Sequence, residues 1–198
     1  MAILFTGDMH LGHKNAIKYD RRPFSSVEEM DETIIQNWQN ETKPNDTIYI
    51  CGDLSWYNDN KTAEILKNLN GHKILIKGNH DNHLKKSLQY FDDVKDYDEI
   101  HLPGNVHINI SHYPIKWFNR RHHGAYMFYA HVHNSIEWIK TEEERRALEN
   151  AGQYCNMFNV GTMHWGYRPV TFEEIIENYP QIIKPVFEAC EMSSLSPY

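Results

Sequence analysis

The chain has 198 residues, of which 40% are hydrophobic and 24% are charged, and its formal net charge is −7. A chain of this composition can bury one core, which excludes general disorder and predicts a single domain over 1–198, with a core over about 1–180 and a C-terminal tail over 181–198. The negative charge argues against a basic protein that coats DNA or a membrane surface.

The numbers and positions of the cysteines and histidines exclude some kinds of protein and favour others. Cys51, Cys155 and Cys190 are odd in number, widely separated and never in a C-x-x-C pair, which argues against a zinc ribbon or a disulfide framework. The N-terminus has no basic leader and no apolar run reaches about 18 residues, so we expect a cytoplasmic protein. The 13 histidines are an unusual excess of the commonest metal ligand.

Three short apolar segments, 2–6, 47–51 and 73–77, each end in a glycine and a polar side chain. Each segment predicts a buried strand that delivers a polar group at its carboxyl end. The groups delivered are Gly7-Asp8, Gly52-Asp53 and Gly78-Asn79-His80-Asp81.

Helices are predicted between these strands. A capping box of Ser26 and Glu29 opens an apolar helical pattern, and 62–69 form a second helix that closes near Gly71. The resulting β-α-β-α-β order predicts parallel strands whose polar ends meet at one edge of the sheet.

The pattern changes after a predicted short helix over 84–90. Shorter β-like runs follow and predict a second sheet, at 94–97, 106–111, 127–130 and 157–160. Two further helices are predicted from capping boxes: Thr141 with Glu144 for 141–150, and Thr171 with Glu174 for 171–178.

Five segments carry candidate metal ligands, and each alone is also an ordinary turn or strand end. They are Asp8-Met9-His10, Gly52-Asp53, Gly78-Asn79-His80-Asp81, Ser111-His112 and His131-Val132-His133. A D-x-H pair just after a strand lets two ligands reach one cation, and H-x-H on a strand end sends imidazoles to neighbouring positions. Their order and placement make the set informative.

In that order, the five segments resemble the calcineurin-like metallophosphoesterase superfamily, whose blocks are D-x-H, G-D, G-N-H-D/E, H and G-H-x-H. The opening Asp8-Met9-His10-Leu11-Gly12-His13 and the later Asn15 are similar to small, single-domain bacterial and phage-type members. A weaker match continues through Asn159-Val160-Gly161 and Tyr167-Arg168-Pro169. The resemblance implies an α/β fold, a four-layer α-β-β-α sandwich of two mixed β-sheets flanked by helices.

The resemblance also implies two divalent metal ions that share Asp53. One would be bound by Asp8, His10, Asp53 and His133, and the other by Asp53, Asn79, His112 and His131. Such mixed ligands suit manganese, our first expectation, or iron, zinc or nickel, better than calcium. The positive charge of two divalent ions exceeds the negative charge of two carboxylates and a hydroxide. The centre therefore stays cationic and attracts a phosphate group, although the protein as a whole is acidic.

Catalytic roles follow from the same resemblance. His80 is expected to stay off the metals and to protonate the leaving oxygen, with Asp81 orienting it. His13 is expected behind the ligands, and Arg120 and Arg121 in a basic loop are candidates for substrate phosphate, the alternative being a solvated loop.

Other side chains are not expected to bind metal, namely His122, His123 and His164. Three aromatic residues are candidates for stacking on a nucleobase, although packing is the alternative for each: Trp117, Trp165 and Tyr167.

The chain departs from the family pattern at Ala130, where glycine is usual before H-x-H, and at Met163, where related members often carry an acidic residue. The helix over 141–150 is a third departure, with a lid, an oligomer contact and decoration as the alternatives.

The sequence therefore predicts a dinuclear-metal-dependent phosphohydrolase that cleaves phosphomonoesters or phosphodiesters of a small molecule or nucleotide by attack of a metal-bound hydroxide. A polynucleotide nuclease of the same superfamily is the first alternative, but it predicts added DNA-binding domains and a basic surface. A catalytically silent scaffold is the second, disfavoured by the complete ligand set and His80.

No G-x-G-x-x-G follows the first strand, which argues against a Rossmann domain. We expect no membrane partner and no extended nucleic acid, and the question of a homo-oligomer is open.

Overall fold

The first β-sheet carries the three strands predicted from the N-terminal half. In the computed structural model, which describes the backbone of residues 1–194 and the side chains of residues 1–184, this sheet has five strands in the order β4-β3-β2-β1-β9. They are β1 (Ile3–Thr6), β2 (Thr47–Ile50), β3 (His72–Ile76), β4 (Asp93–Lys95) and β9 (Val170–Thr171). The first four are parallel, and β9 runs antiparallel beside β1.

The second sheet has four strands in the order β5-β6-β7-β8. They are β5 (Tyr97–Leu102), β6 (Val106–Ser111), β7 (Tyr126–Tyr129) and β8 (Asn156–Asn159). β5 pairs antiparallel with β6, and the other pairs are parallel. The two sheets pack face to face, with Phe5 meeting Phe128 edge-on at 4.8 Å between ring centroids.

Helices flank the two sheets. The first sheet is covered through Met30, Ile34 and Trp38, and the second meets helical side chains that include Trp138 and Tyr179. The helices are α1 (Lys14–Tyr19), α2 (Val27–Glu41), α3 (Asp59–Asn68), α4 (Ile136–Asn150) and α5 (Phe172–Ser194). The predicted fold class, two mixed sheets flanked by helices, is confirmed. No helix within residues 1–194 combines the length and hydropathy that a bilayer span requires.

The three predicted capping boxes have different outcomes. Thr171 and Glu174 form the reciprocal pair, with backbone donors at 2.9 and 3.3 Å. Ser26 accepts from the Glu29 N–H at 3.1 Å, but the Glu29 carboxylate turns to the backbone N–H of Ser25 at 2.7 Å. The box is therefore only half formed at α2.

The predicted start of the helix at Thr141 is wrong. α4 begins five residues earlier, where the Ser135 side chain accepts from the Glu137 N–H, and the Thr141 hydroxyl bonds back to the Glu137 carbonyl at 2.8 Å. A threonine inside a helix can satisfy its hydroxyl in this way, so the Thr141–Glu144 spacing is coincidental.

Two other predicted elements differ from the structure. The predicted short helix over 84–90 is present only as one turn of 3₁₀-helix at Ser87–Tyr90. The Asp59 carboxylate accepts the backbone N–H groups of Lys86 and Ser87 at 2.6 and 2.9 Å, just where this turn begins. The run 94–97 is divided: β4 joins the first sheet, and Tyr97 opens β5 in the second.

The C-terminal helix also differs, since α5 continues to Ser194, beyond the predicted end at 178. Residues 195–198 of the predicted tail lie outside the described residues.

Candidate metal centre

The predicted ligands follow the carboxyl ends of strands in both sheets. Asp8 follows β1, Asp53 follows β2 and Asn79 follows β3, and these strands are parallel neighbours. His112 follows β6 and His131 follows β7, which are parallel neighbours in the second sheet. Side chains more than 120 positions apart, such as His10 and His133, therefore meet at one edge of the sandwich.

We call Asp8, His10, Asp53 and His133 the first group. One ligand atom from each of these residues lies within 4.8 Å of the others. The Nε2 atoms of His10 and His133 are 3.1 Å apart. The His10 Nε2 is 3.8 Å from Asp53 Oδ2, and the His133 Nε2 is 3.8 Å from Asp8 Oδ1.

The second group comprises Asp53 again with Asn79, His112 and His131. The Nε2 atom of His112 lies 3.0 Å from Asn79 Oδ1, 3.2 Å from His131 Nδ1 and 3.6 Å from Asp53 Oδ2. The same Asp53 oxygen thus faces histidines of both groups. The structure brings all seven predicted ligands together.

The backbone around this centre is strained. The φ angles of five predicted ligands lie between 47° and 69°, in the left-handed region that residues other than glycine rarely adopt. The five are Asp8, His10, Asp53, His131 and His133. Such strain costs stability and concentrates at functional sites. Of the nine non-glycine residues with positive φ in the described part of the chain, five are predicted ligands.

The donor set fits divalent cations. Both carboxylate oxygens of Asp8 are buried and have no hydrogen-bond partner among the described residues, and burial raises the pKa of this carboxyl to about 6. An unpartnered buried carboxylate is unfavourable unless a cation compensates it. Burial lowers the pKa of His10, which keeps its imidazole in the neutral form that binds a metal.

Asp81 fixes the loops that carry the ligands. Its Oδ2 atom accepts from the backbone N–H groups of Asp53 and Gly78, both at 2.8 Å, and its Oδ1 atom accepts from Leu54 at 3.0 Å. These bonds tie the loop after β2 to the loop after β3. Asp81 was predicted to orient His80; its hydrogen bonds among the described residues go to backbone groups instead.

His80 lies at the mouth of the centre. Its backbone N–H donates to Asp53 Oδ1 at 3.0 Å, and its ring Nε2 is 4.0 Å from Asp53 Oδ2. The side chain is 42% exposed, so it can meet a substrate. Trp56 lies against it, with ring centroids 4.4 Å apart, and stacks on His13 at 4.0 Å with ring planes 7° apart.

The basic loop that contains Arg120 and Arg121 lies away from this centre. It precedes β7, whereas His131 follows that strand. Arg121 donates to the carbonyl oxygen of Tyr154 at 2.6 Å and lies over the Trp117 ring at 4.6 Å. The structure therefore does not bring this loop, which includes the exposed His122 and His123, to the predicted ligands.

Other candidates are packed around the centre. Trp165 and Tyr167 are buried in the two cores, and His164 reaches the His133 carbonyl with its Nε2 at 3.3 Å. Ala130 is accommodated because residue 7 is glycine: a Cβ added to Gly7 would lie 2.8 Å from the Ala130 Cβ.

Met163 and α4 account for the remaining departures from the family pattern. Met163 packs against the first-sheet core. In α4, Trp138 and Glu142 are buried, so one face of this helix belongs to the core.

Three residues at the centre were missed from the sequence: Asp20, Arg22 and Trp56. Asp20 accepts from His133 Nδ1 at 2.9 Å, and Arg22 donates to the carbonyl oxygens of Asp8 and Met9, both at 2.9 Å. Asp20 and Arg22 lie in the segment between α1 and α2, and nothing in its composition links it to the ligand blocks. Trp56 lies three residues after Asp53, which was the one available signal.

The fold and this cluster of carboxylates, imidazoles and an amide define a candidate metal centre at one edge of a two-sheet sandwich. The chain belongs to the calcineurin-like phosphoesterase family, whose sequence profile matches residues 1–166.

Known relatives are similar over part or most of the chain. An uncharacterized protein of Methanocaldococcus jannaschii is 47% identical over 81 residues, 40% of this chain and 46% of that protein. The Gene 66 protein of Mycobacterium phage L5 is 36% identical over 80 residues, 39% of this chain and 38% of that protein. The chain thus matches less than half the length of either curated relative. The crystal structure of a protein of unknown function from Aquifex aeolicus is 29% identical, with a TM-score of 0.67 over 88% of this chain and 97% of that chain.

Proposed function

We propose that the protein is a phosphoesterase that requires two divalent cations, with manganese as the first expected ion. The observation that carries this proposal is the pair of ligand groups on either side of Asp53. Its Oδ2 atom lies 3.8 Å from His10 Nε2 and 3.6 Å from His112 Nε2.

The residues of the chain would divide the work between binding and proton transfer. Divalent cations held by the first and second groups would supply Lewis acidity and a water molecule that ionises near neutral pH. His80 would donate a proton to the leaving oxygen, since its ring is half exposed and lies close to Asp53 without belonging to either group. The hydrogen bond from the His80 backbone N–H to the Asp53 carboxylate would hold the proton donor at a fixed position relative to the metal ligands.

The walls of the site support a phosphodiester substrate. A cavity of about 280 Å³ beside His133 includes Asp20 and Glu137 but no lysine or arginine among the described residues that line it. Proteins commonly bind a dianionic phosphate through arginine or lysine. A singly charged diester fits this cavity better than a monoester.

Exposed aromatic side chains border the same region. Trp56 is 45% exposed beside His80, and Tyr113 is 47% exposed with its ring 4.5 Å from that of His131. Exposed apolar side chains grouped around a cleft often mark a ligand site. We infer that the organic part of the substrate carries a planar group, such as a nucleobase.

The test is metal analysis of the purified protein coupled to hydrolysis of bis(p-nitrophenyl) phosphate and p-nitrophenyl phosphate. We expect bound divalent metal, loss of both activities on chelation, recovery with Mn²⁺, and kcat/KM at least about tenfold higher for the diester, equivalent to ~1.4 kcal/mol. A monoester preference would overturn the diester assignment alone. A protein that binds no metal and hydrolyses neither ester would overturn the proposed function.

Replacing Trp56 with leucine tests the planar-group assignment. Stacking on an aromatic side chain contributes about 1–3 kcal/mol per base, so KM for a nucleoside diester should rise about 5–160-fold while metal content stays the same. Trp117→Leu is the matched control, because Trp117 is also exposed but lies over Arg121. Equal KM values in both variants would contradict the assignment.

A further inference from the structure

Asp20 and Arg22 form a buried ion pair that contacts the first group, Asp20 at His133 and Arg22 at the backbone of Asp8. The Asp20 carboxylate is 8% exposed, and its two oxygens lie 2.9 and 3.0 Å from His133 Nδ1. Because Nδ1 then carries the proton, Nε2 is the nitrogen left with a lone pair. That Nε2 atom faces Asp8 at 3.8 Å and His10 at 3.1 Å.

Arg22 fixes Asp20 from the other side. Its Nε and Nη2 atoms both lie 2.9 Å from Asp20 Oδ2. Its Nη1 and Nη2 atoms also donate to the carbonyl oxygens of Met9 and Asp8, both at 2.9 Å. One guanidinium, itself 4% exposed, thus joins the carboxylate behind His133 to the backbone that carries Asp8.

Behind His112 of the second group lies a neutral group, whereas the Asp20 carboxylate lies behind His133 of the first group. The Nδ1 atom of His112 donates to the backbone carbonyl of Cys51 at 2.7 Å, which is a neutral acceptor. The second group also contains the neutral amide of Asn79 where the first contains the Asp8 carboxylate. A histidine that is hydrogen-bonded to a carboxylate is a more basic metal ligand than a histidine that is hydrogen-bonded to a backbone carbonyl.

We propose that Asp20, held by Arg22, is a positioning residue that makes the first group the tighter of two unequal metal sites. This inference rests on the proposed function. It assigns an order of filling, with the first group occupied before the second.

The test is calorimetric titration of the metal-free protein with Mn²⁺. Wild-type protein should bind two ions in separate steps, the first tighter than the second. Asp20→Asn should weaken the first step about 10–100-fold, the usual cost of losing such a partner, and leave the second within error.

Glu142→Gln is the matched control. Glu142 is also a buried carboxylate, and it accepts from Arg145 Nε at 2.7 Å and from the Tyr179 hydroxyl at 2.6 Å. It contacts none of the seven predicted ligands, so both titration steps should match the wild type. Circular dichroism and melting of the metal-free proteins check that each variant is folded. Should Asp20→Asn not fold, Arg22→Lys, which keeps the charge but cannot make the same set of bonds, is expected to weaken the first step.

The outcomes separate this inference from the proposed function. Wild-type protein that binds no Mn²⁺ overturns both. Two ions bound by the wild type and unchanged steps in Asp20→Asn overturn the role of Asp20 alone. An equal weakening of both steps, in Asp20→Asn and Glu142→Gln alike, identifies a general loss of structure and also overturns that role.

Discussion

Replacing Asp53 with asparagine is expected to remove metal from both groups and to lower kcat/KM at least about 10³-fold. Asp53 Oδ2 lies within 3.8 Å of a histidine nitrogen in each group, so a single substitution removes a negative charge from both. Lewis-acid stabilisation is worth several kcal/mol, and each 1.4 kcal/mol is a factor of ten in rate. Metal content per chain and diester hydrolysis are the two measurements.

Asp31→Asn is the control for this substitution. Asp31 is buried as well, but its carboxylate accepts from the Gly12 N–H at 3.0 Å and the Tyr57 hydroxyl at 2.7 Å, and contacts no predicted ligand. The Asp31→Asn protein should keep its metal. An Asp53→Asn protein that retains two ions and normal turnover would rule out a shared ligand.

Replacing His80 with asparagine is expected to have the second largest effect. The variant should keep its metal and lose about 10²–10⁴-fold in kcat, the usual contribution of a general acid. The loss should be smallest for a nitrophenyl ester, whose leaving group needs no proton, and largest for an alkyl ester. The leaving-group dependence separates proton donation from a change in the fold.

His122→Asn is the matched control for His80, because His122 is exposed in the turn before β7. It should leave kcat unchanged for both esters. Loss of metal in His80→Asn, or an equal loss of rate for both leaving groups, would contradict the role of His80 as the acid.

The part of the fold that the sequence predicts best is the part where local pattern and tertiary structure agree. Three apolar runs that end in glycine and a polar residue became β1, β2 and β3, and 106–111 became β6 with the predicted bounds. Parallel pairing then explains why ligands from distant segments meet. Gly52 and Gly78 are needed because a Cβ at either position would collide with the neighbouring loop.

Apart from the local errors at Thr141 and at the end of the last helix, the misses arose where a side chain contacts a segment far away in the sequence. The Asp59 carboxylate binds the backbone at Lys86 and Ser87, where the helix predicted over 84–90 is reduced to the 3₁₀ turn Ser87–Tyr90. Asp20 and His133 are 113 positions apart, and Trp56 meets His13 across two separate loops. Such contacts depend on the packing of whole layers, so no spacing rule within one segment could have found them.

Anomalous diffraction from crystals grown with Mn²⁺ tests the shared-ligand centre most directly. We expect two manganese peaks, one among Asp8, His10 and His133 and one among Asn79, His112 and His131, with Asp53 in contact with both. Manganese bound elsewhere on the protein, or no peak between these side chains, would contradict the assignment of this centre.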